Sequence, residues 1–282
     1  MITMILGYVL ALIIGLSLGL LGGGGSILTV PILVYVLNMD AKVSIALSLA
    51  IVAITSLFGV IGHYKNNNVD FKLVSIFAPF AMLGTFIGAK LSSFFTSSAQ
   101  LILFAIIMLL ASFFMLKNTK KSSNSQTSSP IIKNHFFNGL IIALEGSTVG
   151  ILTGIVGVGG GFLIVPALVL LGGVDMKKAV GTSLFIITLK SISGFLGYID
   201  LVKIDYTFLV QFSFFSVVGI FIGSYLTKFI EQEKLKKSFG IFLVIMAVFI
   251  LYKNKHSFKN SSKNTQAIHQ ENRYQNHVYF SQ

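Results

Sequence analysis

Eight stretches of this chain run for close to the thickness of a bilayer with scarcely a charge in them. They are Met4–Leu21, Val43–His63, Phe71–Phe94 and Leu101–Leu116, then Phe136–Val156, Lys178–Ile199, Tyr206–Phe229 and Phe239–Tyr252. About 20 apolar residues in a helix cross a hydrocarbon core of about 30 Å. None of the stretches alternates with period two, as a lipid-embedded barrel would require. Backbone in lipid must satisfy its own hydrogen bonds, so these spans are read as helices. Composition agrees: 54% of residues are apolar and 11% charged, against about 25% charged in a soluble domain. The expected class is an all-α integral membrane protein whose main partner is the lipid bilayer.

The formal charge of +12 does not point to nucleic acid. Its lysines gather beside the apolar spans, at Lys117, Lys120, Lys121 and Lys133, and again at Lys253, Lys255, Lys259 and Lys263. Arg273 is the single arginine, which leaves bidentate base or phosphate readout almost nothing to work with. Basic flanks fit the positive-inside rule and suggest a cytoplasmic linker and C-terminus. The chain has no cysteine, so thiolate metal sites and cysteine nucleophiles are excluded. No cofactor or metal is expected. The tail 254–282, with irregularly spaced His256, His269 and His277, reads as a disordered basic segment.

Comparing the chain with itself is the most informative step. At a shift of 135 residues Pro31 falls on Pro166, Gly15 on Gly150, Gly19 on Gly154 and Gly22 on Gly157. The register continues through Asp40 and Asp175, Ser48 and Ser183, Gly59 and Gly194, Asp70 and Asp205, Gly84 and Gly219, and Phe104 and Phe239. Shared hydrophobicity would align leucines; it would not keep Gly, Pro, Asp and Ser in one register. The chain is therefore divided into a first transmembrane repeat (1–117), a linker (118–135), a second repeat (136–253) and the tail. Ile2–Leu21 lacks a basic leader, and its counterpart lies inside the chain, so it is read as a permanent span rather than a signal peptide.

Each repeat carries about four spans plus a short apolar segment behind a glycine run. Gly22, Gly23, Gly24, Gly25 and Ser26 lead to Pro31; Gly157, Gly159, Gly160 and Gly161 lead to Pro166. Glycine costs a helix about 1 kcal/mol relative to alanine, so consecutive glycines predict helix breaks. A break at membrane depth is tolerated only inside protein or along a water-filled cavity. The freed N–H groups and partial positive charge of a half-helix N-terminus suit an anion. Interrupted segments at matching places in two halves are a pointer to a transporter's site. Glycines serving only close helix packing are the plainer alternative, and the Gly84/Gly88 and Gly219/Gly223 pairs fit it. With four spans per repeat the linker and tail share a side, which the charge pattern favours. If the short segments cross fully, each repeat has five spans and the halves are inverted.

At helical spacing Ser183, Lys190, Gly194 and Gly197 share a face, as do Ser48, Thr55, Gly59 and Gly62. This small, polar stripe should face the protein interior. Lys190 lies near mid-span, where a charge is a functional candidate; its repeat partner is Thr55. Glu145, whose partner is Leu10, is the other charge within a span. Either Lys190 receives an anionic solute, with Glu145 tuning it or carrying a proton, or the two form an ion pair joining helices. His63 and Tyr198 end their spans, where an interfacial position is the ordinary reading. Asp70 and Asp205 read as helix N-caps.

The blocks Gly22–Pro31 and Gly157–Pro166, with Ser48 and with Gly181, Thr182 and Ser183, resemble the TauE/SafE sulfite exporter family of membrane permeases. The small-residue helix ending at Gly62 and His63 and the later Gly84/Gly88 helix are similar too. The resemblance implies a secondary carrier for sulfite, sulfoacetate or another small organosulfur anion, in a bacterial cytoplasmic (inner) membrane. It directs attention to the glycine runs, Ser48, Thr182 and Ser183 as solute-contacting positions. An enzyme is not expected. An intramembrane enzyme acting on a lipid phosphate would need clustered acids, bases or metal ligands, and the spans offer only Glu145, Lys190 and His63. A non-transporting partner subunit is the remaining alternative.

Overall fold

The computed structural model describes residues 2–117, 135–156, 161–170 and 173–253. Among the described residues there are helices and short turns but no strand. Before the linker come α1 (Ile2–Leu21), α2 (Gly24–Pro31), α3 (Ala41–Tyr64), α4 (Phe71–Leu91) and α5 (Ser97–Lys117). After it come α6 (His135–Val156), α7 (Gly161–Leu170), α8 (Met176–Tyr198), α9 (Tyr206–Leu226) and α10 (Gln232–Lys253). Six of them (α3, α4, α5, α8, α9 and α10) are long and apolar enough to cross a bilayer. The helices α1 and α6, of 20 and 22 residues, are of similar length. The expectation of a multi-span helical membrane protein is met. Residues 118–134 of the linker and the tail 254–282 lie outside the described residues, as do Gly157, Gly159 and Gly160.

Local chemistry explains where the helices begin and bend. Asp40 Oδ1 accepts from the backbone N–H of Lys42 and Val43 at 2.8 and 3.2 Å, opening α3. Asp70 does the same for Lys72 and Leu73 at 3.1 and 3.2 Å, and Asp205 accepts from Phe208 at 3.0 Å. These are N-caps that satisfy orphan donors. Pro31 removes a donor near the end of α2, and the chain widens there into a π-turn over Ile32–Val36.

The molecule is apolar outside and polar within. About 67% of the spanning windows of α3 and α8 is buried, against 39–50% for α4, α5, α9 and α10, so α3 and α8 form the centre. The outer helices expose Leu83, Val210, Phe214 and Ile245, while Ser48, Thr55, Ser56, Ser183, Thr188 and Lys190 are buried. That is the arrangement for a lipid solvent, in which apolar surface needs no cover and polar groups do.

The most extensive helix pairings are α4 with α6 and α1 with α9, and glycine makes both possible. A Cβ on Gly84 would lie 2.5 Å from the Ser147 carbonyl oxygen, and one on Gly150 would lie 2.5 Å from that of Ala81. Gly219 meets the Leu12 carbonyl and Gly15 that of Ser216. The second pair of contacts is the first with residue numbers shifted by 135 and the two halves of the chain exchanged. Here the packing reading of Gly84, Gly88, Gly219 and Gly223 holds.

The contacts also give helix directions. Gly15 and Gly19 of α1 meet Ser216 and Ile220 of α9 in rising order, and Gly59 and Gly62 of α3 meet Ile220 and Ser224. Thus α1, α3 and α9 run the same way. The chain returns between α1 and α3 along α2: Gly25 packs on Leu18, while a Cβ on Gly7 would lie 3.4 Å from Leu37. By contrast α3 and α8 are antiparallel. Ser56 pairs with Thr188 at 2.9 Å, and a Cβ on Gly59 would lie 3.3 Å from Leu184 while one on Gly194 would lie 3.2 Å from Leu49. The midpoint of this crossing falls at Ile54 and Leu189, next to Thr55 and Lys190.

One consequence departs from the charge-based expectation. Gln100, at the start of α5, donates to the Ile155 carbonyl and lies 3.4 Å from the Tyr198 hydroxyl at the end of α8. Gln232, at the start of α10, accepts from the backbone N–H of Met176 at the beginning of α8. So α5 and α10 start at opposite ends of α8, and their last described residues, Lys117 and Lys253, lie at opposite ends of the bundle. Counting only long spans missed this, because α2 and α7 return the chain without reaching twenty residues.

Candidate functional site

The first glycine run builds a turn inside the protein. Gly22 has φ +69°, a left-handed conformation that favours glycine. Its space is closed by α8, since a Cβ there would lie 2.7 Å from Ser183 Oγ and 2.8 Å from Val180 Cα. Gly23 then serves as N-cap of α2 without a side-chain bond. Ser26 turns its hydroxyl back to the Gly23 carbonyl at 2.7 Å, and Thr29 bonds the Gly25 carbonyl at 2.8 Å.

The two interrupted segments meet. A Cβ on Gly161, the first residue of α7, would lie 3.0 Å from Gly23 Cα, and the Ile187 side chain closes the other side. From this meeting point α2 runs toward one end of the bundle and α7 toward the other. Their N-termini therefore face each other. Each helix N-terminus carries about +0.5 of an elementary charge, so two like partial charges converge in a buried place.

Lys190 stands one turn beyond Ile187 on α8. It is fully buried, and among the described residues its Nζ donates to Thr153 Oγ1 on α6 at 3.0 Å. The expected alternative of a Lys190–Glu145 ion pair is not formed. Among the described residues the ion pairs are Lys90–Asp200, Lys178–Asp70 and Lys234–Glu231. Glu145 precedes Thr153 by more than two turns of α6, about 12 Å along the axis. Its Oε1 is buried and has no hydrogen-bond partner.

The remaining candidates divide. Ser48 is buried and its hydroxyl has no partner, whereas Thr55 bonds the Ile51 carbonyl at 2.7 Å. The Ser183 hydroxyl lies 2.8 Å from the Val180 carbonyl and 3.3 Å from that of Gly22. Thr182 instead accepts from the backbone N–H of Asp70 at 2.9 Å, tying α8 to the α3–α4 turn. Pro31 is buried at the far end of α2, eight residues from Gly23, and Pro166 is buried within α7. Neither proline belongs to the junction of the two N-termini.

His63 and Tyr198 are not interfacial; their exposures are 0% and 1%. His63 Nε2 lies 3.1 Å from the Gly19 carbonyl, which also accepts from Thr227 Oγ1 at 3.1 Å. The Tyr198 hydroxyl lies 3.2 Å from the carbonyls of both Gly154 and Ile155. Each ring thus covers carbonyls left unpaired where α1 or α6 ends. Sequence reasoning also passed over Thr153, the partner of Lys190. Its mismatch with Leu18 at the 135-residue shift was the available signal.

Residues 8–250 match the profile of the sulfite exporter TauE/SafE family. The chain belongs to this family. Among its relatives, the "Probable membrane transporter protein YdhB" of Bacillus subtilis is 26% identical over 240 residues, covering 85% of this chain and 97% of the relative. A "Probable membrane transporter protein" of Xylella fastidiosa is 27% identical over 249 residues, covering 86% and 92%. The "Probable membrane transporter protein MJ0441" of Methanocaldococcus jannaschii is 35% identical over 129 residues, or 44% and 48%. No solved structure matches the chain. Family and relatives alike indicate a membrane transporter.

Proposed function

We propose that the protein is a secondary transporter for a small anion of the sulfite or organosulfonate class, working by alternating access between two inverted units. One observation carries the reading: the N-termini of α2 and α7 converge at Gly23 and Gly161. Like-signed helix ends in a buried place are unfavourable until an anion lies between them, where each contributes unpaired N–H donors. Lys190 adds a buried amine beside the midpoint of the α3–α8 crossing, and Ser48 adds a buried hydroxyl without a partner among the described residues. The sulfur-oxyanion class comes from the family's description and from the charge of the site.

Antiparallel α3 and α8, and contacts that interchange when the halves are exchanged, support the inverted arrangement. In it, rocking one unit against the other exposes the junction to each side in turn. Lys65, Lys117, Lys178, Lys228, Lys234 and Lys237 gather at the linker end, and Lys42, Lys90, Lys203 and Lys253 at the other. The positive-inside rule then assigns the linker end to the cytoplasm and the tail to the opposite side. The test is uptake and exchange of labelled sulfite, sulfoacetate and other sulfur oxyanions, with carboxylates as comparison, in proteoliposomes. Absence of transport across that panel, with a protein monodisperse before reconstitution, overturns the reading.

A further inference from the structure

The two ends of the central helices carry related but chemically different closures. At the end of α8, Tyr198 and Gln100 cover the last carbonyls of α6, with Gln100 Nε2 2.7 Å from the Ile155 oxygen. At the end of α3, His63 and Thr227 share the Gly19 carbonyl of α1. A shift of 135 residues carries His63 onto Tyr198 and Gly19 onto Gly154. One closure therefore contains an imidazole, which in water titrates between about pH 5 and 8, and the other contains a phenol.

A carbonyl oxygen only accepts, so His63 Nε2 carries the hydrogen that it shares with Gly19. Nδ1 is then the ring's remaining site, and among the described residues it is buried without a hydrogen-bond partner. The surroundings offer little to a charged ring. The Gly19 carbonyl faces it from α1, Gly181 of α8 packs on its Cβ, and the Asn68 N–H of the following turn bonds the His63 backbone carbonyl; Ser224 of α9 packs on the neighbouring Gly62. The charged side chains of these elements at this end are Lys65, Lys177, Lys178, Asp70 and Lys228. Asp70 pairs with Lys178 at 3.5 Å, Lys177 reaches the Lys228 carbonyl at 3.3 Å, and Lys228 lies over the Tyr225 ring. Among the described residues no carboxylate pairs with His63.

We propose that His63 Nδ1 is a proton-binding site whose loading opens the linker end of the transporter. A proton added in the closed state creates a buried charge and an N–H with no acceptor. In the opened state water satisfies both. Proton uptake therefore favours opening at this end and leaves the Tyr198 end unaffected. The proposal rests on the transporter reading, but its test needs no solute.

The native chain lacks cysteine, so Ser224→Cys supplies a single thiol beside the closure, at a buried position. Its maleimide labelling is measured in liposomes from about pH 8 to about pH 5.5, the range in which histidine loads. Each rate is divided by that of the SDS-unfolded protein at the same pH. One proton taken up on opening changes the open fraction by at most about tenfold per pH unit. Labelling should rise on acidification toward that slope. It should become flat in His63→Gln, which keeps a donor for Gly19, and in His63→Tyr, which copies the other closure. Either variant alone decides if the other does not fold. A pH-independent rate in the Ser224→Cys parent, or an equal rise in a folded His63 variant, overturns the proposal. Transport without this pH response overturns the His63 assignment alone; the pH response without transport of any tested anion overturns the solute reading alone.

Discussion

Replacing Gly84 with alanine puts a methyl group 2.5 Å from the carbonyl oxygen of Ser147 and 3.0 Å from the backbone nitrogen of Ile151. An ordinary carbon–oxygen contact is about 3.3 Å, so α4 and α6 must separate by nearly an ångström. Both obstructing atoms are backbone, and no side chain can turn away. Overpacking of this kind costs about 1–3 kcal/mol, and the better helix propensity of alanine offsets up to about 1 kcal/mol. Gly150→Ala meets the same obstacle from the other helix, 2.5 Å from the Ala81 oxygen. Gly7→Ala is the control, because its methyl meets only Leu37 Cδ2 at 3.4 Å; it should stabilise by about 0.5–1 kcal/mol. The propensity gain is common to variant and control, so at roughly 2–4 °C per kcal/mol for a chain of this size, Gly84→Ala and Gly150→Ala should melt roughly 2–12 °C below Gly7→Ala. The assay is apparent melting in one detergent at one scan rate. Three coincident melts would refute the close approach of α4 and α6.

Other consequences follow from single contacts. Asp70→Ala removes the cap of α4 and should lower stability by about 1 kcal/mol, while Asp175→Ala, whose side chain makes no capping bond, should change it little; melting of both variants checks this. Thr153→Val leaves the Lys190 amine without its hydroxyl and should destabilise by about 1–3 kcal/mol, a loss that Lys190→Met in the same chain should largely remove in a double-mutant cycle. For helix direction, cysteines at Ser56 and Thr188, whose hydroxyls are 2.9 Å apart, should cross-link on oxidation in membranes. Cysteines at Ser44 and Thr182, separated by about 27 Å along antiparallel helices, should not, and cross-linking of this second pair would contradict the arrangement.

The apolar stretches identified nearly every long helix because lipid makes span length a direct physical requirement. Asp40, Asp70 and Asp205 marked helix starts for an equally local reason. Direction was harder, since α2 returns the chain in thirteen residues with its π-turn and begins inside the protein. A criterion based on bilayer thickness cannot count such a segment. At the site, the glycine run at Gly22–Gly25 and the buried position of Lys190 were readable from composition and helical spacing. The meeting of Gly23 with Gly161 was not, because it joins residues from opposite halves through α8. His63 and Tyr198 were misjudged for a related reason: sequence places them at span ends, but the carbonyls they cover belong to α1 and α6.

The account stands on an anion being held between two helix N-termini beside Lys190. The most direct measurement is exchange of labelled sulfite in proteoliposomes carrying wild-type protein or Lys190→Ala, with the amount of reconstituted protein determined in parallel. The account predicts exchange by the wild type and a fall in Lys190→Ala far larger than any fall in protein amount. Wild-type exchange that Lys190→Ala reproduces, or that declines only in step with protein amount, would contradict it.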